Sequence, residues 1–377
     1  MQVTILGAGI IGVSTAWHLL ERGHEVTLVD RQLDAALETS FANAAQISVS
    51  YCEPWANKDA PLKTLKWMFS DESPLLFRPQ LDWAQWRWGL QFLAQCNDAA
   101  FVRNVAQLVA LGAYSHAALK DVVADTGIEY HRLERGIAHY YTDQKSFDGA
   151  AEAAAVMQRF GVQRSVVSRA ELLAIEPALR AFGERIVGGT YTETDESGDA
   201  RVFTQALAER CAQAGAQVLL GHDIEQLESD GSEVRQVRVR DRATGVASAL
   251  KADAFVVACG SYTTPLLKSV GVNVPIYPGK GYSATLPLLS LLLASSVSLS
   301  ACNTMKGKIA PVVSWSSDLF VVDPAPIVAS VDRLAKKGGR ELMARCPTEA
   351  DAEHGVTGGN AEIGIVAAAP DIGQAIG

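Results

Sequence analysis

An apolar run, Val3 to Leu6, breaks at Gly7-Ala8-Gly9-Ile10-Ile11-Gly12. An amphipathic stretch follows to about Arg22, then a second apolar run, Glu25 to Val29, closes on Asp30. The pattern predicts a strand, a glycine-rich turn, a helix and a second strand. Residues 31–52 are small and polar and read as a loop. Five of the seven tryptophans, Trp55, Trp67, Trp83, Trp86 and Trp88, fall within the next forty or so positions. The run LDWAQWRWGLQFL reads as a helix with Trp83, Trp86 and Leu90 on one face. That face is expected to pack between domains; the sharper alternative is a docking surface for a membrane or a quinone.

Helical spacing recurs over 98–126 through Leu108, Leu111, Tyr114 and Ala118. Glu129 to Tyr141 alternates as a strand pair around Gly136, and Ser146 to Phe160 is an alanine-rich helix. Ser168 and Glu171 form a capping box at the start of a further helix that Pro177 ends. An acidic turn, Asp195 to Asp199, precedes a helix from about Val202 to Ala214. A β-meander follows over 217–251. The apolar run Ala254 to Cys259, ending at Gly260, suits the interior of a parallel sheet.

The glycine turn carries candidate chemistry. Gly7 permits a tight turn, Gly9 lets a pyrophosphate approach the backbone, and Gly12 lets the helix pack close to the strand. The helix N-terminus offers free N–H groups and partial positive charge to phosphates. Asp30, eighteen residues after Gly12, stands where an acid accepts hydrogen bonds from a ribose. That acid disfavours a 2′-phosphorylated cofactor, and the motif alone leaves NAD and FAD open. In the loop that follows, Ser40, Asn43 and Gln46 are candidate hydrogen-bonding residues along such a cofactor.

Composition bounds the rest. A chain of 377 residues with 48% hydrophobic content has room for two domains and a sizeable core. A net charge of −9 without a basic stripe argues against a nucleic-acid partner. The six cysteines (Cys52, Cys96, Cys211, Cys259, Cys302 and Cys346) and seven histidines lack metal-ligand spacing, so free thiols and no metal are expected. No window of about twenty apolar residues exists to span a membrane, and the N-terminus does not read as a signal peptide. Leu286 to Cys302 resembles a lipoprotein signal, but an internal copy reads as a buried element or a sequence anomaly.

GAGIIG with Asp30, ETSFANAAQIS, TDESGDA, FVVACGSY and IYPGKGYS occur in this order. As a set they resemble the FAD-dependent D-amino acid dehydrogenases, within the wider group of D-amino acid and glycine oxidases. The resemblance covers roughly 1–288. It implies an α/β fold, a Rossmann-like FAD-binding domain with an inserted α+β substrate domain. The implied activity is oxidative deamination of D-amino acids, D-alanine foremost, to 2-oxo acids and ammonia. Electrons would pass to a quinone or another respiratory acceptor. The implied location is cytoplasmic, peripheral at the inner face of a bacterial inner membrane. A glycine- or sarcosine-type flavin amine oxidase is the enzyme alternative. Carried over by position, Gly7, Gly9 and Gly12 would lie at the pyrophosphate and Asp30 at the ribose, with Ile5, Ala8, Ile10, Ile11 and Arg31 also cofactor-binding. Ser40, Asn43, Ala44 and Gln46 would lie along FAD, and Gly260 would end the strand beneath it. Tyr277 to Ser283 would enter the substrate domain. His131, His139, Tyr140 and Tyr141 are expected to be packing or surface residues, and no catalytic residue is assigned.

The implied FAD-binding domain is discontinuous, 1–85 with about 145–220 and 250–270. The substrate domain takes about 86–144 and 271–288, with 221–249 as the β-meander. Beyond Leu288 the chain departs from the family. Neither a TGLRP-type arginine run nor a late GHGxxG-type run is present, so C-terminal closure of the fold is expected to be atypical. Poor periodicity and shifted composition over 289–377 point to a changed reading frame or spliced tail near Leu288. An inactive or truncated relative that keeps only the ADP-binding half-site is the non-enzyme alternative.

Overall fold

The computed structural model describes residues 1–41, 43–67 and 80–277, together with the strands at 284–287, 312–313 and 362–366. In chain order, the first elements are β1 (Gln2–Leu6), α1 (Ile10–Glu21), β2 (Glu25–Val29), β3 (Gln46–Ile47) and α2 (Ala60–Trp67). Next come α3 (Trp83–Gln95), α4 (Asp98–Thr126), β4 (Ile137–Tyr141), α5 (Gln144–Arg159), β5 (Ser165–Ser168) and α6 (Arg169–Ile175). Then follow β6 (Gly188–Thr192), β7 (Glu196–Ser197), α7 (Ala200–Gln213) and β8 (Gln217–Leu219). The chain continues through β9 (His222–Ser229), β10 (Val234–Asp241), β11 (Ala247–Lys251), β12 (Ala254–Val257) and α8 (Thr263–Lys268). The last are β13 (Ala284–Pro287), β14 (Val312–Val313) and β15 (Glu362–Val366).

These elements divide into two compact units. One takes the described residues of 1–135 and 195–277; the other takes 136–194 and the three last strands. The division at Arg135 and Thr194 departs from the expected domain bounds, which kept 136–144 with 86–135.

The first unit is built on a parallel sheet of order β12-β1-β2-β8. Alternation along β1 and β2 dictates its two faces. Val3, Ile5, Val26 and Leu28 turn to one side and pack against Val13 and Ala16 of α1 and Phe203, Leu207 and Cys211 of α7. Leu6 and Val29 turn to the other and meet Leu227, Val237 and Val239 of the antiparallel meander β9-β10-β11. Leu28 and Leu207 are fully buried, each contributing roughly 1.5–3 kcal/mol. Burial also pushes the Cys211 thiol up to about 12, so it serves as a packing group.

Three local expectations change. The apolar strand β12 is the end strand of its order among the described residues, and its side chains are half-buried. The strand pair expected over 129–141 is a single strand, β4, because Leu133 pairs instead with Ser197. Within the first unit the aromatic face of α3 is not covered by the described residues: Trp83, Trp86 and Leu90 are 75%, 46% and 62% exposed. The helix turns Gln85 inward instead, where its side chain accepts from the Gln80 amide.

The second unit holds an antiparallel sheet of order β4-β6-β5. Leu172 of α6 and Leu179 pack with Val167 and Ile186, while Tyr140 meets Phe182 edge-on. The Ser168–Glu171 capping box forms as its spacing predicts. His139, on β4, is held neutral far into acid: burial and then Arg164 lower its pKa to about 3. Within this unit β13, β15 and β14 pair antiparallel in that order. Apart from those strands, the lipoprotein-like segment, the expected strand at 278–283 and the divergent tail lie outside the described residues.

Candidate functional site

Chain order reverses at β1, which lies between β2 and β12. Open α/β sheets bind ligands outside the carboxyl ends of their strands at such a point. The glycine turn sits there.

Gly7 adopts φ +109°, and a Cβ on it would come within 2.4 Å of the Ala258 carbonyl oxygen. A Cβ on Gly12 would lie 1.8 Å from the Gly7 carbonyl oxygen. The turn is thus closed on β12 from one side and on itself from the other. Gly9 caps α1 in an extended conformation without a side-chain bond of its own. Ser40 Oγ accepts from the Ile10 amide at 3.0 Å. The amides of Gly9, Ile11 and Gly12 find no acceptor among the described residues. Free amides at a helix N-terminus, beside a residue without a side chain, fit a pyrophosphate.

Asp30 reaches back to this turn. Its carboxylate accepts from the Ala8 amide at 2.6 Å and the Gln32 amide at 2.8 Å. Both bonds use its charge to hold β2 against the turn, and each oxygen keeps a lone pair for a hydroxyl donor. Arg31 is engaged elsewhere, paired with Glu38 at 2.5 Å and lying 4.0 Å over the Tyr262 ring. Ile5 and Ala8 are buried and contribute packing, whereas Ile11 is 68% exposed at the helix start. Gly260 takes φ +53° just beyond β12, in open space.

The polar loop divides its tasks. Ser40 bonds the helix start; Asn43 braces the loop itself, donating to the Ser40 carbonyl and accepting from the Ala45 amide. Ala45 holds φ +55°, unusual for a residue with a side chain. Ala44 is half-buried, and Gln46 pairs with Ser197 in the β3–β7 ladder.

That ladder carries a cluster the sequence did not single out. The expected acidic turn is buried: Asp195 and Glu196 are 1% and 2% exposed. Asp195 accepts from Ser48 Oγ at 2.5 Å and from Ser50 Oγ. Glu196 faces Arg132 Nε at 2.6 Å, His116 Nε2 at 2.6 Å and Lys120 Nζ at 3.0 Å. Burial raises the carboxyl pKa, but these partners outweigh it and bring it down to about 2. The available signal was an acid pair between a strand and a helix cap, positions where a buried charge needs a partner. His131, with φ +56°, is exposed, and Tyr141 lies against Phe147.

The FAD dependent oxidoreductase family, DAO, matches residues 2–307. The chain belongs to that family. It is therefore an FAD-dependent oxidoreductase by membership. The D-amino acid dehydrogenase of Dechloromonas aromatica is 48% identical over 299 residues, 79% of this chain and 71% of that relative. The D-amino acid dehydrogenase of Granulibacter bethesdensis is 43% identical over 288 residues, 76% of this chain and 68% of that one. Among solved structures, glycine oxidase from Bacillus cereus aligns with TM-score 0.53 at 20% identity, covering 89% of this chain and 77% of its own. Glycine oxidase from Geobacillus kaustophilus aligns with TM-score 0.52 at 20% identity; the match covers 76% of this chain and under two thirds, 63%, of that one. These structural matches establish the shared fold. No helix among the described residues is long and apolar enough to cross a membrane.

Proposed function

We propose that this family member oxidises D-amino acids, D-alanine foremost, to 2-oxo acids and ammonia. The observation that carries the substrate class is its 48% identity with a D-amino acid dehydrogenase across 79% of the chain. FAD, when bound, supplies the acceptor for the substrate's α-hydrogen. The unbonded amides of Gly9, Ile11 and Gly12 would hold its pyrophosphate, with the α1 dipole adding favourable charge. Asp30 would take the ribose hydroxyls on its remaining lone pairs. Ser40, Asn43, Ala44 and Gln46 would border the cofactor, with Ser40 fixing the start of α1. Asp30 and Ser40 so orient the cofactor without themselves taking a proton.

Electrons would leave to a respiratory acceptor, a quinone by resemblance, at the inner face of the membrane. The open face of Trp83, Trp86 and Leu90 supports a peripheral contact, since tryptophan favours bilayer interfaces. A second reading, a relative that keeps the ADP half-site without turnover, is favoured by the departure of the sequence after Leu288.

Anaerobic absorption spectroscopy of the purified chain separates these. Flavin bands near 1:1 that bleach with D-alanine support the proposal, and bleaching with glycine or sarcosine instead redirects it. Bands that do not bleach favour the half-site relative. Failure to take up added FAD overturns both.

A further inference from the structure

The Glu196 cluster belongs to none of the roles above, yet a continuous path joins it to the glycine turn. His116 and Lys120 lie four residues apart on one face of α4, and Arg132 lies on the segment beyond that helix. All three converge on one carboxylate that is 2% exposed. Arg132 is the most constrained, with Nε on one Glu196 oxygen and Nη2 on the other, while Nη2 also donates to Glu134. Glu196 thereby fixes β7. From β7 the path runs through main chain: Gln46 pairs with Ser197, Ile47 with Glu196, and the Gly198 amide donates to the Ala45 carbonyl at 2.9 Å. Gly198 must lack a side chain there, because a Cβ would lie 2.3 Å from the Tyr130 ring. Ala45 is held in its left-handed conformation between that bond and Asn43 Oδ1. Asn43 Nδ2 in turn holds the Ser40 carbonyl, and Ser40 Oγ receives the Ile10 amide at the start of α1.

We propose that Glu196 is a positioning residue for the cofactor site, acting through the 40–47 loop. The inference rests on the flavin-site reading above. Arg132, Lys120 and His116 on one buried acid are more than burial alone requires, and they reach that acid on β7 from α4 and the following segment. Such a buried, multiply bonded charge costs little flexibility once formed and admits few alternative arrangements. The rigid end of the path is the cluster; the strained end is Ala45, which a relaxed loop would abandon. Releasing the cluster therefore frees Ser40 from the helix start and disorders the wall of the pyrophosphate site, leaving the parallel sheet intact.

The test compares the native full-length chain with Glu196→Gln by amide hydrogen exchange without cofactor and by titration with FAD. Faster exchange confined to 40–47 and 195–199, with 2–6 and 25–29 unchanged, is the expected result, together with an FAD Kd raised at least about tenfold. Arg132→Lys, which keeps the charge but loses the two-oxygen contact, should fall between native and Glu196→Gln. Uniform exchange across the sheet, or an unchanged Kd with native exchange at 40–47, overturns the proposal. If Glu196→Gln does not fold, Lys120→Gln at the exposed rim serves, with the same local exchange expected at smaller amplitude and its absence overturning the idea. Should the native chain bind no FAD, the flavin-site reading fails on its own, and the exchange pattern still decides whether Glu196 sets the loop.

Discussion

The glycine turn at 7–12 and the acidic turn at 195–199 shape the same neighbourhood by opposite means. The first removes side chains until backbone touches backbone: a Cβ on Gly12 would lie only 1.8 Å from the Gly7 carbonyl oxygen. It leaves amides unbonded. The second concentrates charge in a buried place and satisfies it, with Glu196 bonded to Arg132, Lys120 and His116 and Asp195 to two serines. A surface waiting for a ligand keeps open valences, whereas a surface that supports it closes them. The contrast separates a candidate binding element from its brace without any ligand in view.

The sharpest way to break the contrast is Gly12→Ala. No side chain can give way, because the obstacle is the Gly7 carbonyl. The expected loss is about 4 kcal/mol or more, or failure to fold, read by denaturant unfolding; a loss below about 1 kcal/mol would mean the turn yields.

Acid should break the brace next. The folded Glu196 carboxyl titrates near 2 against about 4.3 for a free glutamate, so the unfolded chain takes up its proton first. The stabilisation is complete above about pH 5 and is lost as pH falls toward 2, up to roughly 3 kcal/mol. Unfolding free energy measured between pH 6 and 3 should fall less steeply in Glu196→Gln. His139 acts in the same direction over a wider range: neutral when folded, it costs stability as pH falls from about 6.5 toward 3. The Glu196 contribution must therefore be taken as the difference between the two chains.

Asp30→Asn sharpens the binding side. The amide keeps one acceptor for the Ala8 and Gln32 donors but loses the charge, so FAD affinity should drop roughly tenfold, about 1.4 kcal/mol. Isothermal titration that finds equal affinity would remove Asp30 from the ribose role. The smallest effect belongs to Ser40→Ala, which deletes one bond to the Ile10 amide. A stability loss of roughly 0.5–1.5 kcal/mol is expected, recovered in part when FAD is present.

These two turns also mark what the sequence could and could not carry. The βαβ start was legible because every requirement lies within thirty residues and each is imposed by local geometry: φ at Gly7, contact at Gly12, an acid at the end of β2. The Ser168–Glu171 box was legible for the same reason. Asp195 and Glu196 read only as an acidic turn, because their partners lie 145, 80 and 64 positions away. The face of α3 misled in the other direction: three large apolar groups at helical spacing imply a covered surface, but Gln85 occupies the buried side. Periodicity reports which residues share a face and not which face the rest of the chain will meet.

The pairing of β1 with β12 joins Val3 to Ala254 and Leu6 to Val257. A ribosome adding about 5–20 residues per second needs on the order of 10–50 s to supply the second partner after the first. Throughout that interval β1, α1 and β2 exist beside an unclaimed strand edge, with the glycine turn lacking the Ala258 backbone that closes it. A segment made about 250 residues before its partner is thus among the last parts of this sheet to be finished. The glycine turn therefore reaches its closed form only once the chain has been made through β12.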